Sequence, residues 1–222
     1  MPLQYRAVSF DSPLQLLRED PLAFVLVALA IIGAIALHEF AHAYAADLQG
    51  DRMPRAMGRV SLDPRRHLDP MGTIAIFLIG FGWGKPVEFR PQALSSKRFG
   101  AAIVALAGPV TNLLLAILAA LALHPLLDAH STTLTDALLR FVLMFFQINI
   151  LLAVFNLIPL PPLDGSRLLT IFLPPSKQNI LFFLDRYGFF ILLALLFLTG
   201  FAFLGGIYDA VGGWVLDLVG IT

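Results

Sequence analysis

Residues 22–50 read LAFVLVALAIIGAIALHEFAHAYAADLQG. From Leu22 to Leu37 the stretch carries no charged residue, and it then continues through His38-Glu39-Phe40-Ala41-His42. A helix that spans a bilayer needs ~20 mostly apolar residues. The stretch therefore predicts a transmembrane helix that contains two histidines and a glutamate, residues that are rare and usually functional inside a membrane.

The composition of the whole chain also indicates a membrane protein. Of its 222 residues, 58% are hydrophobic and 14% are charged, whereas about 25% are charged in ordinary soluble domains. Fifteen basic residues balance fifteen acidic ones, so no global charge would attract nucleic acid. The chain has no cysteine, which excludes disulfides, thiolate catalysis and cysteine-ligated metals. We expect a lipid bilayer as partner and no nucleic acid.

Three further uncharged stretches, residues 99–123, 141–163 and 187–208, predict the other spanning helices. Only helices and closed barrels satisfy their own backbone in lipid, and these stretches are too long for strands. We therefore predict an all-α polytopic membrane protein with about four transmembrane helices. The expected spans are residues 22–50, 99–123, 135–158 and 187–208. Residues 1–21 are expected to form an N-terminal interfacial segment, and residues 209–222 a C-terminal tail.

A fifth apolar stretch, residues 71–84, is too short for a straight crossing. It contains four glycines, Gly72, Gly80, Gly82 and Gly84, and glycines interrupt regular structure. We predict a re-entrant hairpin here, with its backbone shielded by neighbouring helices.

The basic residues predict the orientation. Nine lie between Arg52 and Arg98, and three more flank the link between the third and fourth spans. The link from His124 to Asp136 contains none. Because short cytoplasmic loops are rich in Lys and Arg, we expect the 52–98 side to face the cytoplasm in a multi-pass protein of the cell membrane.

The His38–His42 motif predicts a metal site. A charged residue at the centre of a spanning helix costs ~2.5–3.5 kcal/mol on insertion scales, so it needs a partner or a purpose. Residues four apart share a helix face, so the two imidazoles can hold one ion while Glu39 lies about 100° round the helix. This is the pattern of zinc hydrolases, in which the carboxylate takes a proton from the attacking water.

Two histidines do not complete a catalytic zinc site, which usually has three protein ligands. Asp47 is expected to point away from the imidazole face, and His67 and Asp69 lie in a basic loop that suits structural hydrogen bonding or solvation. Asp164 follows a segment with three prolines, residues 156–163, which ends regular helix on the same predicted side. It could also cap the next helix through an Asp-Gly turn, and the two roles are compatible. The third-ligand candidates are Asp47, Asp63, His67, Asp69, Glu88 and Asp164.

The remaining motifs, in chain order, are Gly50-Asp51, Gly58-Arg59, His67-Leu68-Asp69-Pro70-Met71-Gly72, Ala107-Gly108-Pro109 with Asn112, and Asn156 to Gly165. With His38-Glu39-Phe40-Ala41-His42-Ala43, they resemble the site-2 protease family of intramembrane zinc metalloproteases over about residues 22–175. The chain is most similar to the compact prokaryotic branch without a PDZ domain. It departs from the family pattern at Met53, Pro54 and Asp63, which affects details of the loop and not the chemistry.

The resemblance implies one Zn²⁺ per chain, held by His38, His42 and Asp164, with Glu39 as general base. The implied activity is hydrolysis of peptide bonds within or near transmembrane segments, known as regulated intramembrane proteolysis. The partners would be transmembrane protein or peptide substrates, and the sequence does not specify an oligomeric state.

Two asparagines are further candidates for the site. The resemblance implies a role beside the active site for Asn156. Either Asn156 or Asn112 could offer an amide to the substrate or the oxyanion. Helix packing is an equally weighted alternative for Asn112.

Three other functions compete with this interpretation. A catalytically inactive binder of membrane proteins could lose Glu39 or a metal ligand. This chain keeps Glu39 and the three implied ligands, His38, His42 and Asp164. A metal transporter would need polar residues from face to face, whereas here they cluster at one depth. Prenyl-protein endopeptidases share the His-Glu-x-x-His pattern, but the motif from Asn156 to Gly165 disfavours them.

Overall fold

The computed structural model describes residues 13–79, 82–172, 178–199 and 202–221. Over these ranges the chain is largely helical and forms no strand. The helices are α1 (Pro13–Glu19), α2 (Pro21–Leu48), α3 (Met53–Ala56), α4 (Pro70–Ile79), α5 (Lys97–Leu127), α6 (Thr133–Asn156), α7 (Ser166–Phe172), α8 (Gln178–Thr199) and α9 (Ala202–Leu218). Four of the helices described, α2, α5, α6 and α8, are long and apolar enough to cross a membrane. The predicted all-α polytopic fold is therefore confirmed.

Three helices form the centre of the structure. Helix α5 packs against both α2 and α6, and α2 also packs against α6. Small side chains line these contacts: Ala30 and Ala34 of α2 face Ile148 of α6, and Ala116 and Ala120 of α5 belong to the cluster around Phe146. Lipid tails are as apolar as the side chains, so close packing through small residues is what holds such helices together. The functional site lies among α2, α5 and the segment after α6.

The segment between α2 and α5 folds back onto the end of α2. Asp51 is fully buried, and it accepts hydrogen bonds from the backbone N–H of Arg90 at 2.5 Å and from its guanidinium at 2.7 Å. Burial opposes ionisation of Asp51, but these bonds hold the pKa of its carboxyl below the usual range. The contact between Asp51 and Arg90 thus connects the beginning of this segment to its end.

Residues 71–84, predicted as a re-entrant hairpin, begin with the short helix α4. Gly80 and Phe81, in the middle of this stretch, lie outside the described residues. The chain then returns in a non-helical limb from residue 82, and Gly84 forms an antiparallel bridge with Leu68. The amide of Lys85 donates to the carbonyl of His67 at 2.7 Å. The chain therefore returns to the point where α4 begins, while entry into the membrane stays a prediction.

The C-terminal part differs from the expected boundaries. The span predicted at residues 187–208 falls partly on α8, Gln178–Thr199, and partly on the start of α9 at Ala202. Helix α8 begins before the predicted span, so Asp185 and Arg186 lie inside the helix. Most of the predicted tail, residues 209–222, belongs to α9.

Helix α9 forms despite its glycines because one face is buried. Leu204, Tyr208 and Val215 recur at helical spacing and pack into the cluster with α5 and α6. Of the N-terminal segment predicted at residues 1–21, residues 1–12 lie outside the described ranges, and α1 covers residues 13–19.

Candidate active site

The two histidines of the His-Glu-x-x-His motif lie on one face of α2, and both are buried. Their Nε2 atoms are 3.0 Å apart. Each Nε2 is 3.1 Å from Oδ2 of Asp164, which comes from the segment after α6. In the part of the chain that the structure describes, His38, His42 and Asp164 are the group that could hold a metal ion. The fold thus brings together the three residues expected as ligands.

Helix α5 fixes the orientation of the His42 ring. Nδ1 of His42 is 2.7 Å from the carbonyl oxygen of Val104. Because a carbonyl can only accept, Nδ1 carries a proton, and in the neutral ring Nε2 then presents its lone pair to the centre. Gly108 allows α5 to come this close, since a Cβ there would lie 2.6 Å from Nε2 of His38.

Two buried asparagines fix the orientation of the His38 ring. Asn149 donates its amide to the carbonyl of Phe145 at 2.8 Å, so its Oδ1 is the atom left to accept from Asn112, also at 2.8 Å. Asn112 must then turn its own Oδ1 towards His38, whose Nδ1 lies 2.5 Å away. The direction of these bonds requires the proton on Nδ1 of His38 and leaves Nε2 free to bind a metal.

Asn112 is therefore committed to His38. Its side chain is fully buried, and its amide nitrogen also lies 3.4 Å from the carbonyl of Ala34. Both N–H donors and the oxygen have partners, so the substrate or oxyanion role suggested for Asn112 does not fit these contacts. The alternative role, inside the helix packing, fits them well.

The donor set and its spacing suit Zn²⁺. The Nε2 atoms of the two histidines and a carboxylate oxygen converge at 3.0–3.1 Å. Without a shared proton they repel one another, and a divalent cation relieves that repulsion. In a tetrahedral zinc site with bonds of about 2.0–2.1 Å, neighbouring ligand atoms lie about 3.3 Å apart. The three residues could therefore hold a zinc ion, which would have a fourth position for water.

Hydrogen bonds within the segment after α6 place Asp164. The amide of Gly165 donates to the carbonyl of Asn156 at 2.7 Å, which closes the proline-rich segment into a loop. The amide of Arg167 donates to the carbonyl of Asp164 at 3.0 Å and begins the turn into α7. Asp164 thus stands at a helix start, as the Asp-Gly turn predicts, and also faces both histidines.

Asn156 ends α6 and is half-buried. Its side-chain amide donates to the carbonyl of Leu152 at 3.0 Å, which uses one of its two N–H donors. Its own carbonyl holds the loop that carries Asp164. A contact between Asn156 and the substrate stays a prediction.

Glu39 follows His38 on α2, and 13% of its side chain is exposed. One carboxylate oxygen lies 3.7 Å from Nη2 of Arg59. Burial lowers the pKa of Arg59, while the negative charges of Glu39 and Glu88 oppose the change. The other carboxylate oxygen, Oε1, would lie 3.2 Å from a Cβ at Gly84. Glu39 is therefore enclosed by an arginine and by the limb that begins at residue 82.

The other third-ligand candidates have different contacts. Asp47 and Asp63 are paired with arginines, at shortest distances of 2.7 and 3.0 Å. The ring of His67 has Nε2 2.6 Å from the carbonyl of Ser61, and burial lowers its pKa. Asp69 accepts from the amide at the first turn of α4 at 2.8 Å, and Glu88 is exposed. His67 and Asp69 thus each make a hydrogen bond within their own loop and its junction with α4.

Sequence reasoning missed several contributors to this site. Gly108 and Arg59 entered the sequence analysis only as parts of the family motifs, and Asn149 was not noted at all. Asn149 could have been noticed because it is a polar side chain within an apolar span, four residues after Phe145. The carbonyl of Val104 carries no sequence signal at all.

A His-Glu-x-x-His helix joined to a distant carboxylate inside apolar helices defines a membrane-embedded metalloprotease. Comparison with protein families agrees. Peptidase family M50 matches residues 26–139 and 124–198. The chain belongs to this family, the site-2 proteases.

The chain is also similar to two bacterial proteins. One is "Putative zinc metalloprotease YwhC" of Bacillus subtilis, 37% identical over 176 residues that cover 76% of this chain and 78% of the relative. The other is "Putative zinc metalloprotease Rip2" of Mycobacterium tuberculosis, 34% identical over 205 residues that cover 90% and 76%. No solved structure matches the chain. The protein is thus a zinc metalloprotease of the site-2 type.

Proposed function

We propose that the protein hydrolyses peptide bonds within or near transmembrane segments of other membrane proteins, the activity of regulated intramembrane proteolysis. In this proposal His38, His42 and Asp164 hold one Zn²⁺ per chain, and Glu39 is the general base. The observation that carries the proposal is the convergence of three ligand atoms within 3.1 Å of one another. One of these ligands, His38, directly precedes Glu39 on α2.

The residues divide the reaction among them. When bound, Zn²⁺ supplies the Lewis acidity that polarises the scissile carbonyl and activates water near neutral pH. Glu39 takes a proton from the water molecule as the water oxygen bonds to the carbonyl carbon of the substrate. Glu39 then returns that proton to the amide nitrogen as the C–N bond breaks. The bonds from the two rings to Val104 and Asn112 keep the imidazoles oriented throughout.

The limb at residues 82–85 is our candidate for substrate binding. A transmembrane helix protects its peptide bonds by internal hydrogen bonding, so the substrate must unwind before it is cut. The limb is bonded along one edge to His67 and Leu68, and Gly84 lies against Glu39. An unwound substrate segment could pair with this limb by strand addition and so reach the general base.

The distribution of charge supports access from the cytoplasm. The histidines lie in the second half of α2, and the segment rich in Lys and Arg begins just after that helix ends. Short loops of this kind stay in the cytoplasm. We therefore place the active site towards the cytoplasmic side of the cell membrane, from which water would enter.

Zinc content and cleavage, measured on the same samples, test the proposal. The substrate is a membrane peptide whose transmembrane segment contains helix-destabilising residues. Glu39→Gln should keep zinc and lower cleavage by about 10²- to 10⁴-fold, whereas Asp164→Ala should lose zinc as well. Asp63→Asn is the matched control, because Asp63 pairs with a largely exposed arginine in the loop, and it should change neither.

Two results would contradict the proposal. A fully active Glu39→Gln protein would show that Glu39 is not the general base. A fully active Asp164→Ala protein would show that Asp164 is not the third ligand. If the wild-type protein bound the peptide or moved zinc across vesicles without cleaving, an inactive binder or a metal-transport protein would be favoured instead.

A further inference from the structure

Arg59 is a buried arginine at the edge of the site, with 4% of its side chain exposed. It donates from Nη1 to the carbonyl of Arg66 at 2.6 Å and from Nη2 to the carbonyl of Lys85. Its Nε is also buried and has no hydrogen-bond partner among the residues that the structure describes. Burying a charged group with an unsatisfied donor destabilises a fold. Stability alone therefore does not account for the position of Arg59.

Glu39 is the acidic partner of this guanidinium. Nη2 of Arg59 lies 3.7 Å from Oε2 of Glu39. This distance is short enough for an ion pair but too long for a direct hydrogen bond. The charge attracts the carboxylate without occupying either of its oxygens. Such an arrangement suits a general base, which must be held in place and still accept a proton from water.

The two carbonyls that Arg59 binds belong to adjacent pieces of backbone. Arg66 precedes His67, whose carbonyl accepts the amide of Lys85 at 2.7 Å. Lys85 follows Gly84, where a Cβ would lie 3.2 Å from Oε1 of Glu39. One side chain therefore contacts both the general base and the limb that lies on it.

We propose that Arg59 is a positioning residue that holds the Glu39 carboxylate and the 82–85 limb in one fixed arrangement, so that substrate backbone and general base are presented together. The inference rests on the proposed proteolytic function. Arginine suits the task because its planar fork donates in several directions while it carries charge. Lysine could keep the charge but could not reproduce the fork.

Three variants test the role of Arg59. Arg59→Met removes both the charge and the fork, and Arg59→Lys keeps only the charge. Arg65→Met is the matched control, since it makes the same chemical change in the same loop on a side chain that is 89% exposed. Each variant is assayed for zinc content, kcat and KM, and for hydrogen exchange of the Lys85 amide.

The expected pattern separates positioning from a general structural defect. Arg59→Met should keep zinc, lower kcat by about tenfold to hundredfold, and speed exchange at Lys85. Arg59→Lys should recover part of kcat, because a charge again faces Glu39, but it should not restore slow exchange. Arg65→Met should match the wild type in every measurement.

The inference is overturned if Arg59→Met keeps kcat within about threefold of the wild type. It is also overturned if zinc is lost in step with activity and Arg59→Lys recovers nothing, because Arg59 would then only support the fold. Wild type and Glu39→Gln are measured alongside. If neither cleaves, the proposed function fails, while exchange at Lys85 still shows whether Arg59 holds the limb.

Discussion

Replacing Asn112 by leucine separates metal affinity from folding stability. The substitution leaves two buried groups without a partner, the Nδ1–H of His38 and the Oδ1 of Asn149. Each unsatisfied group costs about 1–3 kcal/mol. The loss at Asn149 is the same with and without zinc, so it lowers only the free energy of unfolding. The loss at His38 frees the ring to rotate or to change tautomer, which weakens zinc binding.

Comparable losses of a hydrogen-bond partner to a metal-binding histidine lower metal affinity by about 10- to 100-fold, or roughly 1.4–2.8 kcal/mol. We expect this range for Asn112→Leu. The assay is competition for zinc against a chelator in detergent, with thermal unfolding of the zinc-free protein measured in parallel. Asn149→Leu is the second variant, since it leaves the Asn112 oxygen beside His38 and should weaken zinc binding less.

Two outcomes would refute this reasoning. The first is an Asn112→Leu protein whose zinc affinity stays within about threefold of the wild type, because the affinity would then not depend on ring orientation. The second is a greater loss of affinity in Asn149→Leu than in Asn112→Leu. A drop in thermal stability alone would show that the asparagines only hold the helices together.

Two further predictions concern the loop that covers the site. Gly84→Ala places a Cβ 2.9 Å from Ile35 and 3.2 Å from Glu39, so it should lower cleavage by about tenfold to hundredfold with zinc retained; unchanged cleavage would show that the limb can move away freely. Asp51→Asn removes the ion pair with Arg90, which is half-exposed, and should lower the free energy of unfolding by about 1 kcal/mol. Because the folded pKa of Asp51 is depressed, this stabilisation is complete above its ordinary value of 3.8 and is lost as the pH falls further. Unfolding midpoints measured against pH should therefore converge for wild type and Asp51→Asn in acid, and a constant gap would contradict the assignment.

The spans and the histidine pair could be predicted from the sequence because both depend on local properties. Long uncharged runs mark helices in lipid, and the four-residue spacing of His38 and His42 places them on one helix face. Both patterns can be interpreted without knowing which other residues the helix contacts in the folded protein. The short helix α4 was missed because the glycines around it suggested a hairpin along its whole length.

The third ligand depended on contacts across the chain. Six acidic or histidine side chains were candidates, and local patterns could disfavour some of them without ranking the rest. The resemblance to a family singled out Asp164. The structure shows a physical reason, since the bond from Gly165 to Asn156 closes the proline segment and turns Asp164 towards the histidines.

The supporting residues could not be predicted because their roles exist only in three dimensions. Asn149 acts through Asn112 on another helix, and Arg59 acts through backbone carbonyls 7 and 26 residues away along the chain. Similarly, α9 is stabilised by burial of Leu204, Tyr208 and Val215 against distant helices, which outweighs the poor helix propensity of its glycines.

X-ray absorption at the zinc edge tests the central claim most directly. The purified protein should contain one zinc per chain, with nitrogen and oxygen neighbours at about 2.0–2.1 Å and the outer-shell scattering of two imidazoles. Asp164→Ala should lower the zinc content or change that first shell. A protein without stoichiometric zinc, a spectrum without two imidazoles, or an unchanged spectrum in Asp164→Ala would contradict the account.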